Sequence, residues 1–164
     1  MQSKITYNPI GIIKTPFSQI AEMPVQPCGA AGAEGTIELK REYIIGLVDL
    51  VGFSHLILLY HFHLVDHPKL LVIPFMDDKP HGIFATRAPV RPNPIGMSVV
   101  RLQKIENNLL FIEGVDMVDG TPLLDIKPFF PKYDNHFDVR YGWLEEKRDI
   151  DITTIKSDER FGSK

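Results

Sequence analysis

The stretch IGMSVVRLQKIENNLLFIEGVDM, residues 95–117, decides the fold. Branched and aromatic residues fill two runs, 95–105 and 109–117, and the polar residues 106–108 separate them. Such runs predict β-strands, and a short polar break between two of them predicts a hairpin turn. We therefore expect an antiparallel strand pair in the second half of the chain.

Other strand-like runs are spread along the chain between breaks rich in glycine and proline. The one helix candidate is 41–51, where apolar residues recur at spacings of three and four and Gly52 offers a stop. Several strands and no regular alternation with helices predict a mainly β protein, an antiparallel barrel or sandwich with one or a few short helices. The remaining predicted strands are 4–14, 36–40, 53–64, 70–75, 82–86, 123–128 and 150–155.

Composition limits the class of protein. The 164 residues, 44% hydrophobic and 24% charged, are typical of one globular domain, which we place at 1–156 with a frayed tail at 157–164. A net charge of -3 excludes nucleic-acid binding by bulk positive charge, so such binding needs a local basic patch. The single cysteine, Cys28, allows no internal disulfide, and the first residues do not resemble a secretory signal, so we expect a cytoplasmic protein.

A small group of histidines raises the question of a metal. His61, His63, Asp66 and His67 lie close together in the sequence. On a strand, His61 and His63 would point to the same side, which a metal site could use. The alternative is a strand whose polar face carries two histidines, one of them lining a pocket. We favour the alternative and expect no metal.

The run RAPVRPNPIGMS, residues 87–98, is the most unusual segment. Its three prolines stiffen the backbone, and a stiff loop loses little entropy when a ligand binds. Arg87 and Arg91 lie in this loop, with Asn93 between two prolines. Arginine suits a carboxylate or a phosphate through a bidentate contact. The alternative is a purely structural loop across the end of a barrel.

Two polar motifs follow. The run DGTP at 119–122 is typical of a turn, in which the aspartate side chain caps the backbone amides that follow it. A few residues later, Asp125 and Lys127 share one face of a predicted strand. That pair is either a surface ion pair or the wall of a polar pocket. Neither motif alone names a reaction.

Taken together, three segments resemble the TsaA-like, or TrmO, family. They are GFSHL at 52–56, GIFATRAPVRPNPIGMSVV at 82–100 and VDGTPLLDIKPFFPKYD at 118–134. The resemblance covers about residues 5–141, and the last two motifs are long and rigidly spaced. We therefore expect a member of this family, in a short form without the C-terminal extension of bacterial members.

The resemblance implies a β-barrel methyltransferase that uses S-adenosylmethionine. The activity it implies is methylation of N6 in N6-threonylcarbamoyladenosine, the modified base beside the tRNA anticodon. It also implies a homodimer with the cofactor near the subunit interface, and tRNA as the partner. A membrane is not expected as a partner.

By position, the resemblance also implies which residues contact the cofactor. Val25 and Leu64 stand where the family commonly has arginine and glutamine, so only their backbone contacts would be retained. The implied cofactor residues are Pro24, Val25, Gln26, His63, Leu64, Arg87, Met97, Asp119, Gly120, Thr121 and Pro122.

Methyl transfer from a sulfonium mainly requires that sulfur, methyl carbon and nitrogen be held in line. N6 of the modified base has a poorly available lone pair, so a general base that takes its proton would help. The sequence leaves that base open among His63, Asp119, Asp125 and Tyr133. The candidate substrate-binding residues are Arg91, Asn93, Lys127 and Lys132.

Other functions are compatible with the same motifs. One is a non-catalytic module that binds S-adenosylmethionine and regulates a partner. Another is the same fold methylating a different acceptor. A metal-dependent hydrolase that uses the histidines is a more distant alternative.

Overall fold

The protein was analysed as a computed structural model, which describes residues 4–21, 23–25, 30 and 32–161. Most of the regular structure is β. The strands are β1 (Gly11–Lys14), β2 (Glu34–Leu39), β3 (His55–His61), β4 (Leu71–Val72), β5 (His81–Gly82), β6 (Ile95–Glu106), β7 (Leu109–Glu113) and β8 (Thr121–Pro128). One short α-helix, α1 (Pro131–Asp134), follows β8, and the other helical segments are 3-10 turns. No helix within the described ranges is long and apolar enough to cross a membrane.

Six strands form a closed antiparallel barrel in the order β1-β2-β7-β6-β3-β8. The ring closes where β1 pairs with β8. The predicted hairpin is confirmed, because β6 and β7 pair from Glu106 and Leu109 onward. Asn107 in its turn has a φ of 56°, which asparagine tolerates better than most residues. The structure therefore selects the barrel over the sandwich.

The barrel interior follows from the alternation of residues along its strands. In β3, Leu56, Leu58 and Tyr60 point inward and are buried, while their neighbours face outward. The same period of two places the even-numbered residues 96–102 of β6 inside. Burying one such leucine or isoleucine contributes about 1.5–3 kcal/mol. The barrel core therefore accounts for much of the stability of the fold.

The Tyr60 ring lies so close to the backbone of residue 96 that only glycine fits there. Tyr60 and Gly96 are paired across β3 and β6. A Cβ atom on residue 96 would lie 2.2 Å from the Tyr60 ring, so only glycine fits without displacing that ring. This contact fixes the position of the Tyr60 phenol at the end of the barrel.

A second, smaller hydrophobic cluster packs beside the barrel. It consists of Val72, Ile83, Ala88, Val90 and Phe161, with Val65 and Phe75 partly buried against it. β4 and β5 form a two-stranded sheet in this region. The cluster joins the proline-rich loop to the end of the chain, and both become walls of the site described below.

The tail at 157–164 is predicted to be frayed, but in the structure residues 157–161 contact the rest of the protein. The Ser157 amide donates to the Met23 carbonyl at 2.9 Å, and Phe161 is buried against Phe75 with ring centroids 5.1 Å apart. An aromatic side chain in a hydrophobic cluster anchors the end of the chain. Residues 162–164 lie outside the described residues.

The predicted helix at 41–51 is wrong in type. The segment forms two 3-10 helices, Arg41–Leu47 and Leu50–Gly52, separated at Asp49, whose φ is 65°. None of their residues is buried. An amphipathic pattern stabilises an α-helix only when its apolar face packs on a partner, and here that face is largely exposed.

Several predicted strands are shorter or absent. The first is limited to β1 because Pro9 has no amide to donate, and the run 70–75 is reduced to β4 before Pro74. The predicted strands at 82–86 and 150–155 are wrong. In the first of these segments, a 3-10 turn at Ile83–Ala85 follows β5. The second forms a 3-10 turn at Ile152–Thr154.

Candidate active site

A cavity of about 740 Å³ opens between the barrel and the second cluster. Several parts of the chain line it, including Ile20, residues 23–25 and residues 74–76. The barrel contributes Tyr60, Gly96 and Met97. The proline-rich loop contributes residues 87–89 and Arg91, and residues 84–86 before it also line the cavity. The C-terminal segment contributes Trp143, Leu144, Ser157 and Phe161. A cavity of this size is typical of a small-molecule or cofactor site.

Arg91 organises the proline-rich loop. Its Nη1 donates to the carbonyl oxygens of Thr86 at 2.9 Å and Ile83 at 3.1 Å. The Thr86 hydroxyl also donates to the Ile83 carbonyl, at 3.0 Å. These bonds satisfy backbone groups of a segment whose prolines prevent regular sheet. Arg91 thus holds the shape of the loop as well as lining the cavity.

A hydrogen-bonded chain of three side chains lies on the barrel side of the cavity. Ser98 Oγ donates to Asp116 Oδ1 at 2.6 Å, and the Tyr60 hydroxyl lies 3.0 Å from the same Oγ. Because the one serine proton is directed to Asp116, the phenol is the donor in the second bond. The order is therefore Tyr60 to Ser98 to Asp116, and both hydroxyls are buried.

The environment of Asp116 favours its neutral form. Burial raises the pKa of this carboxyl to about 6, although the Ser98 hydrogen bond and the charge of Arg87 act in the opposite direction. Burial and the nearby Asp116 charge also raise the pKa of the Tyr60 phenol. Asp116 therefore exchanges a proton near neutral pH, while Tyr60 stays protonated.

Asp116 was missed at the sequence level because it lies in a run that is otherwise strand-like. β7 ends before Gly114, whose φ is 86°, and the next residues, Val115 and Met117, still pack in the barrel core. Val115 and Met117 are buried, and Asp116 between them lines the cavity. The signal was available, since a single acid between hydrophobic residues is unusual in a buried segment.

The C-terminal wall is fixed to the rest of the site by polar contacts. The Trp143 indole donates to the Ala85 carbonyl at 2.8 Å and stacks on His81, with ring centroids 4.3 Å apart. Asp77 accepts from His81 at 3.0 Å and from Lys147 at 3.3 Å. The His81 hydrogen bond holds the pKa of the Asp77 carboxyl well below its usual range.

Four of the predicted cofactor residues line this cavity. They are Pro24, Val25, Arg87 and Met97. About half of the Met97 surface is exposed, at 49%, so its thioether is accessible to a ligand. Gln26, predicted with them, lies outside the described residues.

The predicted DGTP turn lies elsewhere, against the loop after β1. Asp119 Oδ1 accepts from the Thr15 amide at 3.0 Å, and the Thr121 hydroxyl donates to the Val118 carbonyl at 2.6 Å. Gly120 has a φ of 78°, and Pro122 is paired with Ile12. The predicted turn is confirmed, but Asp119 caps the Thr15 amide, which is distant in sequence, and not the amides that follow it as predicted. The residues of the turn do not line the cavity of this chain.

His63 and Leu64 also lie outside the cavity lining. β3 ends at His61, so the prediction that His61 and His63 share one strand face is wrong. Burial lowers the pKa of His63 below its ordinary value. Across the described ranges, no group of three histidine, cysteine or acidic side chains is arranged to hold a metal.

The other predicted residues lie on the surface. Asp125 and Lys127 form an exposed ion pair at 2.6 Å, which decides between the two interpretations of that motif. Tyr133 on α1 is 73% exposed. Lys132 and Asn93 are exposed as well. None of the four predicted base candidates, His63, Asp119, Asp125 and Tyr133, lines the cavity.

The cavity suits the cofactor that the family resemblance implies. S-adenosylmethionine combines a flat ring, an apolar linker and an amino acid group with both charges. The lining is mainly apolar. Its charged side chains are two basic ones, Arg87 and Arg91, and the acidic Asp116. Arg87 would hold a carboxylate, and Phe84 and Met97 would pack against a ring.

Comparisons with known proteins show which proteins this chain resembles. A probable S-adenosyl-L-methionine-binding protein of Pyrococcus abyssi is 51% identical over 97% of this chain and 86% of its own. The mouse tRNA (adenine(37)-N6)-methyltransferase is 34% identical over 77% of this chain and 31% of its own.

A crystal structure of TrmO from Pseudomonas aeruginosa superposes with a TM-score of 0.72 and 39% identity, over 85% of this chain and 62% of that one. This chain therefore spans less than two thirds of that enzyme and about a third of the mouse protein. The family model described as the tRNA-methyltransferase O N-terminal domain matches residues 12–135. The chain belongs to the tRNA-methyltransferase O N-terminal domain family.

Proposed function

We propose that this chain transfers the methyl group of S-adenosylmethionine to N6 of N6-threonylcarbamoyladenosine beside the tRNA anticodon. Family membership assigns it to the S-adenosylmethionine-dependent tRNA adenine-N6 methyltransferases. The modified base as acceptor is the finer part of the proposal. The observation that carries it is the cavity in which Arg87, from the family motif, lies with Asp116 in mainly apolar surroundings.

When bound, the cofactor supplies an electrophilic methyl group on a positively charged sulfur. The chain has to hold the two reactants and keep water away from them. The C-terminal wall serves the second task, because Trp143 and Phe161 cover the cavity with aromatic surface.

Arginine in the cavity supports the threonylcarbamoyl group as part of the acceptor. That group carries a carboxylate, which unmodified adenosine lacks. With Arg87 assigned to the cofactor, Arg91 is the second guanidinium that lines the cavity, and a guanidinium pairs with a carboxylate through two parallel hydrogen bonds. A site of this kind would discriminate against adenosine without the modification.

The test is a methyl-transfer assay with two matched tRNAs of one sequence. The first carries N6-threonylcarbamoyladenosine but no N6-methyl group, and the second is an unmodified transcript. We expect methylation of the first only, read by mass spectrometry of the nucleosides. Equal methylation of both would overturn the proposed acceptor.

A binding module without catalysis is the second candidate. It is favoured by the relative from Pyrococcus abyssi, which is named only as a probable S-adenosyl-L-methionine-binding protein and matches 97% of this chain. This candidate predicts saturable cofactor binding by calorimetry without methyl transfer to either tRNA.

We also propose that the chain acts as a homodimer. Gly120 and the rest of the DGTP turn are predicted cofactor residues, yet they lie outside the cavity of one chain. In a dimer, a second copy would supply them. Light scattering gives the mass, and mixing two inactive variants, Arg87→Ala and Gly120→Val, tests the shared site. Recovered activity in the mixture supports it, and a monomeric mass refutes it.

A further inference from the structure

Asp116 is the one carboxyl group among the described side chains that line the cavity. It lies beside mainly apolar surfaces and receives a hydrogen bond from Ser98 at 2.6 Å. An ionised carboxyl in such surroundings costs stability even when it is hydrogen-bonded, and perturbed acids in clefts are frequent at functional sites.

We propose that Asp116 is the general base that removes the N6 proton of the acceptor during methyl transfer, with Ser98 and Tyr60 as the residues that position it. This inference rests on the proposed function. It replaces the four base candidates from the sequence, all of which lie outside the cavity lining.

The step is balanced as follows. The N6 lone pair forms the new bond to the methyl carbon while the carbon–sulfur bond breaks and its electron pair goes to sulfur. The N6 proton passes to the Asp116 carboxylate, and N6 ends neutral with a methyl group in place of hydrogen. The sulfur ends as a neutral thioether, and the proton leaves Asp116 for water after the products depart.

The other ionisable groups of the cavity cannot take this proton. Arg87 and Arg91 carry guanidinium groups, which donate hydrogen bonds and have no acceptor site for a proton. The Tyr60 phenol has a raised pKa and remains protonated. The pKa of Asp116, at about 6, leaves most of this carboxyl ionised at neutral pH and only weakly acidic once it has gained a proton.

Ser98 and Tyr60 act through Asp116. The serine hydroxyl donates to Oδ1 and so favours the ionised form of the carboxyl, while Tyr60 orients that hydroxyl from β3. The charged group facing Asp116 from the proline-rich loop is Arg87, which also favours the ionised form. Removal of the Ser98 hydroxyl should therefore raise the pKa of Asp116.

The first test compares Asp116→Asn with wild type at saturating cofactor and tRNA. A general base contributes about 10²- to 10⁴-fold to a rate. We expect kcat to fall by about 10²-fold or more, with the KM for tRNA changed only a few-fold. Asp138→Asn is the matched control, because Asp138 is exposed and does not line the cavity. This control should keep the wild-type kcat.

The second test uses Ser98→Ala, which retains the base. In wild type, log kcat should rise with pH with a slope of one and level off above the pKa of Asp116. In Ser98→Ala this rise should move to higher pH. Carbon NMR titration of the Asp116 carboxyl in cofactor-free protein should show the same shift, independently of turnover and even where Asp116→Asn fails to fold.

The outcomes separate this inference from the proposed function. Wild-type protein that does not methylate the modified tRNA refutes the proposed acceptor and, with it, the role of Asp116. Wild-type turnover with an unchanged kcat in Asp116→Asn refutes only the general base. A weaker Kd for S-adenosylmethionine with wild-type kcat at saturation would also refute it, and would make Asp116 a cofactor contact.

Discussion

Replacing Asp116 by asparagine should stabilise the protein, and more so at higher pH. The pKa of this carboxyl is raised from an ordinary value of 3.8 to about 6. The folded protein therefore binds more protons than the unfolded chain in this interval, and stability falls as pH rises through it. Each unit of pKa corresponds to about 1.4 kcal/mol, so ionised Asp116 costs about 3 kcal/mol at pH 7.5.

Asparagine has nearly the same shape, carries no charge and can still accept from Ser98. By the same relation between pKa and stability, ionisation of Asp116 lowers the free energy of unfolding of wild type by only about 1 kcal/mol at pH 4.5. Urea unfolding of wild type and Asp116→Asn at these two pH values measures the difference directly. The lowered pKa of Asp77 affects both proteins equally and cancels in that difference.

The difference in the free energy of unfolding between Asp116→Asn and wild type must grow from pH 4.5 to pH 7.5. A difference that stays the same would refute the raised pKa of Asp116. It would mean that the carboxyl is well solvated and has an ordinary pKa. The reasoning about burial at the cavity wall would then be wrong, whether or not Asp116 takes part in catalysis.

Three further substitutions test other parts of the structure. Gly96→Ala places a Cβ 2.2 Å from the Tyr60 ring, so the free energy of unfolding in urea should fall by about 1–3 kcal/mol; wild-type stability would contradict this contact. Arg87→Ala should weaken binding of cofactor or tRNA by about 1.5–3 kcal/mol in calorimetry, and unchanged affinity for both would remove Arg87 from the site. Gly120→Val forces a branched residue to a φ of 78° and should cost about 1–2 kcal/mol in thermal unfolding; wild-type stability would contradict this strain.

The barrel could be predicted from the sequence where local pattern and final environment agree. Residues 95–102 and 109–113 alternate between inside and outside, and the two strands with their turn are found as predicted, apart from residues 114–117. The proline-rich loop was also predictable as a site, because stiff segments that carry arginine are unusual. Arg87 and Met97 accordingly line the cavity.

The rest depends on contacts between distant residues. The segment 41–51 has a helical pattern but little surface to pack on, so periodicity alone gave the wrong type. Trp143 and Phe161 line the cavity because they meet Ala85 and Phe75, which are distant in sequence, and no local motif marks them. Asp116 is a candidate base because the folded chain places it in the cavity wall together with Arg87, and Ser98 of β6 donates to it.

The most direct test of the central claim is the mass of the adenosine derivatives in tRNA after incubation with this protein and labelled S-adenosylmethionine. We predict that the label appears as one methyl group on N6-threonylcarbamoyladenosine, and that unmodified tRNA of the same sequence stays unlabelled. Label on any other nucleoside, or tight cofactor binding with no labelled nucleoside, would contradict the assigned reaction.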